Sequence, residues 1–239
     1  MTAADDVPLA VLEALDGGLL TTVQDGGRPD WAHLGVPESG AADPWSLAVA
    51  NLLVGNDPAA AALELTLIGG SFTVLRDVTV GLAGADLGAR VRGGPRLDAG
   101  RTHRLRAGFV LDVPGVPGDG TTGSGARTYL ALPGGIAVPP VLGSRSTCLP
   151  GAFGGLDGRT LRTGDTIAAT VPALDLVRGE RAWPGEPWSG GAVPGASEAA
   201  STPLLRFVAT DPAAGSALTA RRWRPGPAPR RSSCRPRPR

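Results

Sequence analysis

Five polar residues that could carry out chemistry occur close together near the start of the chain: Gln24, Asp25, Arg28, His33 and Ser39. An arginine guanidinium binds a carboxylate through paired hydrogen bonds, and a histidine can act as a general base near neutral pH. Ser39 could act as a nucleophile, although it does not lie in a Gly-x-Ser-x-Gly motif. Because loops at strand ends commonly carry binding residues, we predict that these five residues line a catalytic cleft.

The same residue types are also common in purely structural roles. Asp25 and Arg28 can close a turn, and His33 can be held in place by hydrogen bonds. Ser39 fits a turn, and Asp43 fits a helix cap, better than either fits a catalytic role. Both interpretations remain open from the sequence.

A second polar group follows a Pro-rich stretch and consists of Gly143, Ser144, Arg145, Ser146 and Thr147. Backbone N–H groups, hydroxyls and a guanidinium so close together can form an anion-binding cradle, so we predict that this group binds substrate. The alternative is an irregular loop whose hydroxyls bond the backbone. Cys148 is expected either as a buried, inert thiol or as a thiol activated by its neighbour Arg145.

The 239-residue chain contains no lysine, so all 23 basic residues are arginines. It therefore has no lysine for a phosphate-binding loop, a Schiff base or the attachment of biotin. Its two cysteines, Cys148 and Cys234, lack the paired spacing of zinc ligands, and we predict no metal site. Any ATP or biotin chemistry must then involve another polypeptide.

Charge is distributed unevenly along the chain. Residues 221–239 contain eight arginines, five prolines and no acid, whereas residues 1–220 contain 15 arginines and 22 acids. Such a tail can bind nucleic acid, but its composition is also what GC-rich DNA encodes in a shifted reading frame, so we expect no nucleic-acid partner. The acidic first residues and the interrupted apolar segments indicate neither a secretory signal nor a membrane helix. We therefore expect a cytoplasmic protein.

Short apolar runs separated by Gly and Pro must position the polar groups. They lie at 19–23, 62–68, 72–75, 78–82, 109–113, 128–132 and 166–171. Runs of this length and spacing predict a mainly β fold. One short helix is also predicted, with Asp43 as its N-cap, Pro44 in its first turn and Gly55 after its end.

Eight motifs, taken in order, resemble those of one protein family. They are TTVQDGGR at 21–28, GVPESGAADP at 35–44, ANLLVGN at 50–56, ALELTL at 62–67, LAGAD at 82–86, YLALPGGI at 129–136, VPPVLGSRST at 138–147 and LRTGD at 161–165. The family contains the C subunit of 5-oxoprolinase and is also called allophanate hydrolase subunit 2 or the biotin-dependent carboxyltransferase family. The ordered set is far more specific than any single motif.

The resemblance implies a cyclophilin-like β-barrel lobe, in agreement with the mainly β prediction. The resemblance also implies that full-length members consist of two such lobes in series and pair with a partner of the B-subunit type. With a third subunit, they open the lactam ring of 5-oxoproline to glutamate at the expense of ATP. Relatives fused to biotin carboxylases transfer a carboxyl group from carboxybiotin to urea, which implies biotin supplied in trans. Both reactions develop an oxyanion that Arg28 and the amides of residues 143–147 could stabilise.

The motifs of the family's second lobe have no counterpart in this sequence. We therefore expect residues 1–172 to form the lobe, 173–203 a Gly/Pro linker and 204–220 a remnant of a second lobe, before the frameshifted tail at 221–239. This organisation predicts a C-terminally truncated relative whose catalysis is impaired.

The leading hypothesis is a subunit of an ATP-dependent 5-oxoprolinase that acts on a small amide together with a B-type subunit and a third subunit. One alternative is the carboxyltransferase part of a biotin-dependent urea carboxylase or urea amidolyase. The other is a non-catalytic binding protein that antagonises a kinase inhibitor.

Overall fold

The computed structural model describes residues 8–115, 125–170 and 180–183. The described residues contain ten β-strands, one α-helix and one 3-10 helix. The strands are β1 (Pro8–Asp16), β2 (Leu20–Gln24), β3 (Ala62–Thr66), β4 (Gly70–Val74), β5 (Val78–Gly84), β6 (Arg90–Val91), β7 (Arg101–Leu105), β8 (Val110–Val113), β9 (Arg127–Ala131) and β10 (Thr166–Thr170). The helices are the 3-10 helix Pro29–Leu34 and α1 (Pro44–Leu53).

The strands form two antiparallel sheets of five strands each. The first sheet has the order β10-β1-β4-β8-β6 and the second the order β2-β3-β9-β5-β7. In the second sheet, β2 runs against β3 so that Gln24 lies opposite Ala62. The mainly β prediction is confirmed. Within the described residues, however, the strand ladders form two separate sheets and do not close into the expected barrel.

Both sheets contribute to one apolar core. Alternate side chains of a strand point to opposite faces, so β4 buries Phe72 and Val74 while Ser71 and Thr73 are half-buried. These side chains belong to the same buried cluster as Leu63 of β3 in the other sheet. Burial of such side chains is worth about 1.5–3 kcal/mol each, which makes this cluster the main source of stability.

Helix α1 begins and ends as the sequence predicts. Asp43 caps it by accepting a hydrogen bond from the Ser46 N–H at 3.1 Å, and Pro44 occupies the first turn. Gly55 follows the helix with a φ of 81°, a left-handed conformation that glycine adopts without steric cost. The prediction of this helix is confirmed.

The helix covers the outer face of the second sheet. Leu47 and Ala50 of α1 belong to a buried cluster with Ala83 and Tyr129 of the sheet. A Cβ atom on Gly81 would lie 2.3 Å from the Ala50 carbonyl oxygen, so this close approach needs a glycine. Strand β3 of the same sheet is buried along its whole length.

Residues 180–183 extend the free edge of the second sheet. The Thr102 N–H donates to the Arg181 carbonyl at 2.9 Å, and the Trp183 N–H donates to the Gly100 carbonyl at 2.8 Å. The Trp183 ring packs edge-to-face against Trp45 of α1, with centroids 6.0 Å apart. This short segment therefore fastens the second sheet to its covering helix.

The rest of the predicted linker, the predicted second-lobe remnant at 204–220 and the Arg/Pro tail at 221–239 lie outside the described residues. None of the described helices has the length and apolar character needed to cross a membrane.

Candidate functional site

The two polar groups singled out in the sequence meet at Asp25, just after β2. Its Oδ1 atom accepts hydrogen bonds from the Ser144 hydroxyl at 2.6 Å and the Ser146 hydroxyl at 2.5 Å. The same oxygen accepts from the Gly27 N–H at 2.8 Å, and Oδ2 accepts from the Arg145 N–H at 2.5 Å. Asp25 thus joins two chain segments that are 119 residues apart.

These hydrogen bonds determine the charge of Asp25. Burial raises the pKa of the carboxyl group, but the bonds from Ser144, Ser146, Gly27 and Arg145 lower it by more, so that the net pKa is below its ordinary value. Asp25 is therefore ionised at neutral pH. With its oxygens occupied by protein donors, it organises the loops around it; in this conformation it is not placed as a proton donor.

The backbone N–H groups of residues 144–147 also have acceptors inside the protein. The Ser144 N–H donates to the Val141 carbonyl at 3.2 Å, and the Thr147 N–H donates to the Val23 carbonyl at 2.9 Å. The Arg145 N–H donates to the Asp25 carboxylate, and the Ser146 N–H donates to the Ser144 hydroxyl. The predicted anion cradle therefore has no vacant amide at these four positions in this conformation.

The exposed part of this loop is formed by Gly143 and the Arg145 side chain. Arg145 donates from Nε to the Val138 carbonyl at 3.0 Å, which fixes the start of its guanidinium. Its remaining donors are the part of the predicted substrate-binding group that solvent can reach. Cys148, at the end of this segment, is 1% exposed.

Gln24 contacts the same segment as Asp25. Its Nε2 atom donates to the Thr22 hydroxyl at 3.0 Å and to the Thr147 carbonyl at 3.3 Å. Its Oε1 atom is buried and has no partner among the described residues. Gln24 therefore retains one unused acceptor.

Arg28 is the most deeply buried charged residue of the site, at 2% exposure. It donates from Nη2 to the Ser146 carbonyl at 2.6 Å and from Nε to the Val141 carbonyl at 3.3 Å. The Phe153 ring lies over the guanidinium, with its centroid 5.0 Å from Cζ. Nη1 is buried and has no partner among the described residues.

His33 and Ser39 lie apart from this network. His33 is exposed in the 3-10 helix, and Ser39 is half-buried in the following loop with a φ of 56°. Among the described contacts, no side-chain hydrogen bond joins either residue to Asp25. The loop itself is attached by its backbone, since the Arg28 N–H donates to the Glu38 carbonyl and the Ala41 N–H to the Asp25 carbonyl.

A second polar network, which the sequence analysis did not predict, holds the end of the loop that leads into α1. Glu64 of β3 accepts from the Ala42 N–H at 2.8 Å and from the Tyr129 hydroxyl at 2.7 Å. The Tyr129 hydroxyl in turn accepts from the Asp43 N–H at 2.8 Å. Arg127 donates to the second Glu64 oxygen at 3.2 Å. Glu64 alternates with leucines in β3, a pattern that suggests a solvent-facing acid, but here it is buried against Tyr129 and the loop at Ala42.

The environment of Tyr129 opposes its ionisation. Burial raises the pKa of the phenol, and the hydrogen bond to Glu64 raises it further. The phenol therefore stays protonated and donates to Glu64 throughout the neutral range.

No cluster of three or more His, Cys, Asp or Glu side chains suited to a metal ion occurs in the described part of the chain.

Comparison with known proteins places this arrangement in a family. The family model for the carboxyltransferase domain, subdomain A and B, matches residues 34–224. The chain therefore belongs to the carboxyltransferase domain family.

Individual relatives agree with this assignment. The chain is 42% identical to the 5-oxoprolinase C subunit of Escherichia coli over 159 residues, which are 66% of this chain and 48% of that protein. It is 35% identical to the urea amidolyase of Lachancea kluyveri over 71% of this chain and 9% of that enzyme. The crystal structure of the protein TTHA0988 is similar with a TM-score of 0.66 at 36% identity, over 77% of this chain and 34% of the other. The chain thus spans about half the length of the 5-oxoprolinase subunit that it matches.

Proposed function

We propose that the chain is a subunit of an ATP-dependent 5-oxoprolinase, in which it helps to open the lactam of 5-oxoproline to glutamate. Its partners are a B-subunit homologue and a third subunit that handles ATP. The observation that carries this proposal is the 42% identity to the C subunit of a 5-oxoprolinase over 159 residues, which are 66% of this chain.

The chemistry of the chain supports a role within a complex. The sequence has no lysine, so a lysine-dependent nucleotide site or a biotin arm must come from another polypeptide. Asp25 holds the loop that carries Arg145 against the loop that carries Arg28, and Glu64 with Tyr129 holds the far end of the Arg28 loop. Preorganised donors of this kind stabilise a developing oxyanion without reorganisation at the moment of reaction.

A carboxyltransferase role with urea is the second candidate, because the chain is also 35% identical to a urea amidolyase. In that role, the chain would receive a carboxyl group from carboxybiotin on another polypeptide. The matched region is 9% of that enzyme but 48% of the bacterial subunit, which favours the multi-subunit 5-oxoprolinase.

Genetic complementation tests the proposal. An E. coli strain that lacks its own 5-oxoprolinase C subunit is given this chain together with the chain's cognate partner subunits, and growth on 5-oxoproline as nitrogen source is measured. Growth that requires this chain is the expected result. The E. coli subunit serves as the positive control, and partners without this chain as the negative control.

Two outcomes would count against the proposal. Absence of growth, with the chain and partners present at normal levels, would exclude a 5-oxoprolinase role for the chain in this form. Bicarbonate- and biotin-dependent consumption of urea would instead assign it to the second candidate.

A further inference from the structure

Arg28 is a buried cation without a direct ion-pair partner among the described residues. It is 2% exposed, and its described acceptors are two neutral carbonyl oxygens, those of Ser146 and Val141. It forms no ion pair within the described residues, where the five ion pairs involve other arginines.

Asp25, the buried acid of the site, forms no direct ion pair with Arg28 among the described contacts. The oxygens of Asp25 are bonded to Ser144, Ser146, Gly27 and Arg145. The Phe153 ring offers a cation–π contact at 5.0 Å, which offsets only part of the cost of removing a guanidinium from water. A buried charge with an unused donor is costly unless an anion completes it.

We propose that Nη1 of Arg28 binds the carboxylate of a small-molecule ligand. This inference deepens the proposed function and rests on it for the choice of ligand. Among the two candidate substrates, 5-oxoproline carries a carboxylate, whereas urea carries none. A guanidinium contributes a charge-assisted hydrogen bond to a carboxylate and very little to a neutral amide at the same position.

The Phe153 ring covers one face of the Arg28 guanidinium. Nη1 is sealed from solvent, yet the Phe153 ring above the guanidinium is only half-buried. Gly154 follows Phe153 with a φ of 72°, and a Cβ atom there would lie 3.1 Å from Nη2 of Arg28. A ligand that reaches Nη1 past this ring would displace Phe153, which is already partly exposed to solvent.

Calorimetry on the purified full chain tests this proposal without any turnover. Sodium 5-oxoproline is titrated at constant ionic strength, and the neutral carboxamide of the same lactam is titrated in parallel. We expect saturable binding of 5-oxoproline and at least about tenfold weaker binding of the carboxamide, since one charge-assisted hydrogen bond is lost. Equal affinity for both compounds, or no binding of either, would overturn the proposal.

Two substitutions separate a binding role from a structural one. Arg28→Gln is expected to abolish 5-oxoproline binding, whereas Arg28→Lys keeps the charge and retains weakened binding. The exposed Arg106 provides the matched control, because Arg106→Gln removes one positive charge away from the site and leaves affinity unchanged. If Arg28→Gln binds 5-oxoproline as tightly as the unaltered chain, the inference is wrong.

Nitrogen-15 NMR of the arginine side chains keeps the test decisive if an Arg28 variant does not fold. In the unaltered chain, the Arg28 guanidinium signals should shift on addition of 5-oxoproline, and chloride at equal ionic strength should leave them in place. Unchanged Arg28 signals at saturating ligand would contradict the proposal. Binding without catalysis by the assembled subunits would retain Arg28 as a carboxylate site and reject the 5-oxoprolinase activity.

Discussion

At the scale of single residues, Asp25 holds the candidate site together as an ionised hydrogen-bond acceptor. Its carboxylate is matched by two hydroxyls and two backbone N–H groups from both polar segments. Removing such an acceptor leaves buried donors unsatisfied, which is more costly than the bonds themselves. We therefore assign the primary effect of changes at Asp25 to loop structure.

The Asp25→Asn variant tests this assignment. An asparagine presents N–H groups to donors that need an acceptor, so we expect the free energy of unfolding to fall by about 2 kcal/mol at pH 7. Chemical denaturation measures the change. The exposed Asp98 gives the matched control, since Asp98→Asn should change stability by less than about 0.5 kcal/mol.

The same carboxyl group predicts a pH dependence. Because its pKa is lower in the folded protein than the ordinary value of 3.8, its stabilising contribution is complete above that value. The contribution is lost as the pH falls through the lower, folded pKa. Denaturation between pH 7 and pH 2 should show a smaller acid-dependent loss of stability for Asp25→Asn than for the unaltered chain. Parallel curves for the two would contradict the prediction.

Tyr129 allows a spectroscopic test of the second network, because it is the only tyrosine in the chain. Burial and the bond to Glu64 raise the pKa of its phenol. Its contribution to stability is therefore complete below about pH 10, the unfolded value, and is lost as the pH rises above it. Phenolate absorbance at 295 nm should appear together with alkaline unfolding. Reversible ionisation near pH 10 with unchanged circular dichroism would contradict this account.

At the scale of elements, α1 determines which side chains of the second sheet are buried. Asp43 links the helix to the Glu64–Tyr129 network, because its side chain caps α1 and its N–H donates to the Tyr129 hydroxyl. Asp43→Ala removes the cap but keeps the backbone contact. We expect a loss of about 1 kcal/mol in unfolding free energy, measured by denaturation. The same substitution at the exposed Asp98 removes a carboxylate that caps no helix and should cost less than about 0.5 kcal/mol; an equal loss in both variants would show that capping is not the cause.

The elements predicted from the sequence are those with a regular pattern. The helix after Asp43 and the alternation at 62–68 are local signals, and both correspond to observed elements. Strand β1 escaped prediction because register shifts between Ala10 and Leu12 and between Ala14 and Asp16 interrupt its alternation. Strand β7 escaped because it is rich in charge, as expected of an edge strand.

The sequence indicates which residues belong to the candidate site better than it indicates the hydrogen bonds between them. The structure brings Gln24, Asp25 and Arg28 together with the serines of 144–147, whereas His33 and Ser39 lie apart. That these residues line a catalytic cleft stays a prediction. The bonds between them join residues more than 100 positions apart, which no local pattern encodes. The role of Glu64 depends on contacts with Ala42 and Tyr129, which are distant in sequence, and so it could not be inferred from the strand pattern alone.

At the scale of the whole molecule, the chain is a member of the carboxyltransferase domain family. It spans 48% of the E. coli 5-oxoprolinase subunit that it matches. The near-neutral total charge of +1 combines a body with an excess of acids and an Arg-rich tail, so the two parts should be considered separately. The chain has no lysine, so it contains no phosphate-binding-loop motif of the lysine type and no lysine for the attachment of biotin.

Reconstitution from purified components tests the central claim most directly. This chain, its B-type partner and the third subunit are mixed with 5-oxoproline and ATP, and glutamate formation is followed over time. The account predicts glutamate release that requires ATP and all three polypeptides, with activity lost on omission of this chain. Glutamate formation at the same rate without this chain, or no glutamate from a correctly assembled complex, would contradict it.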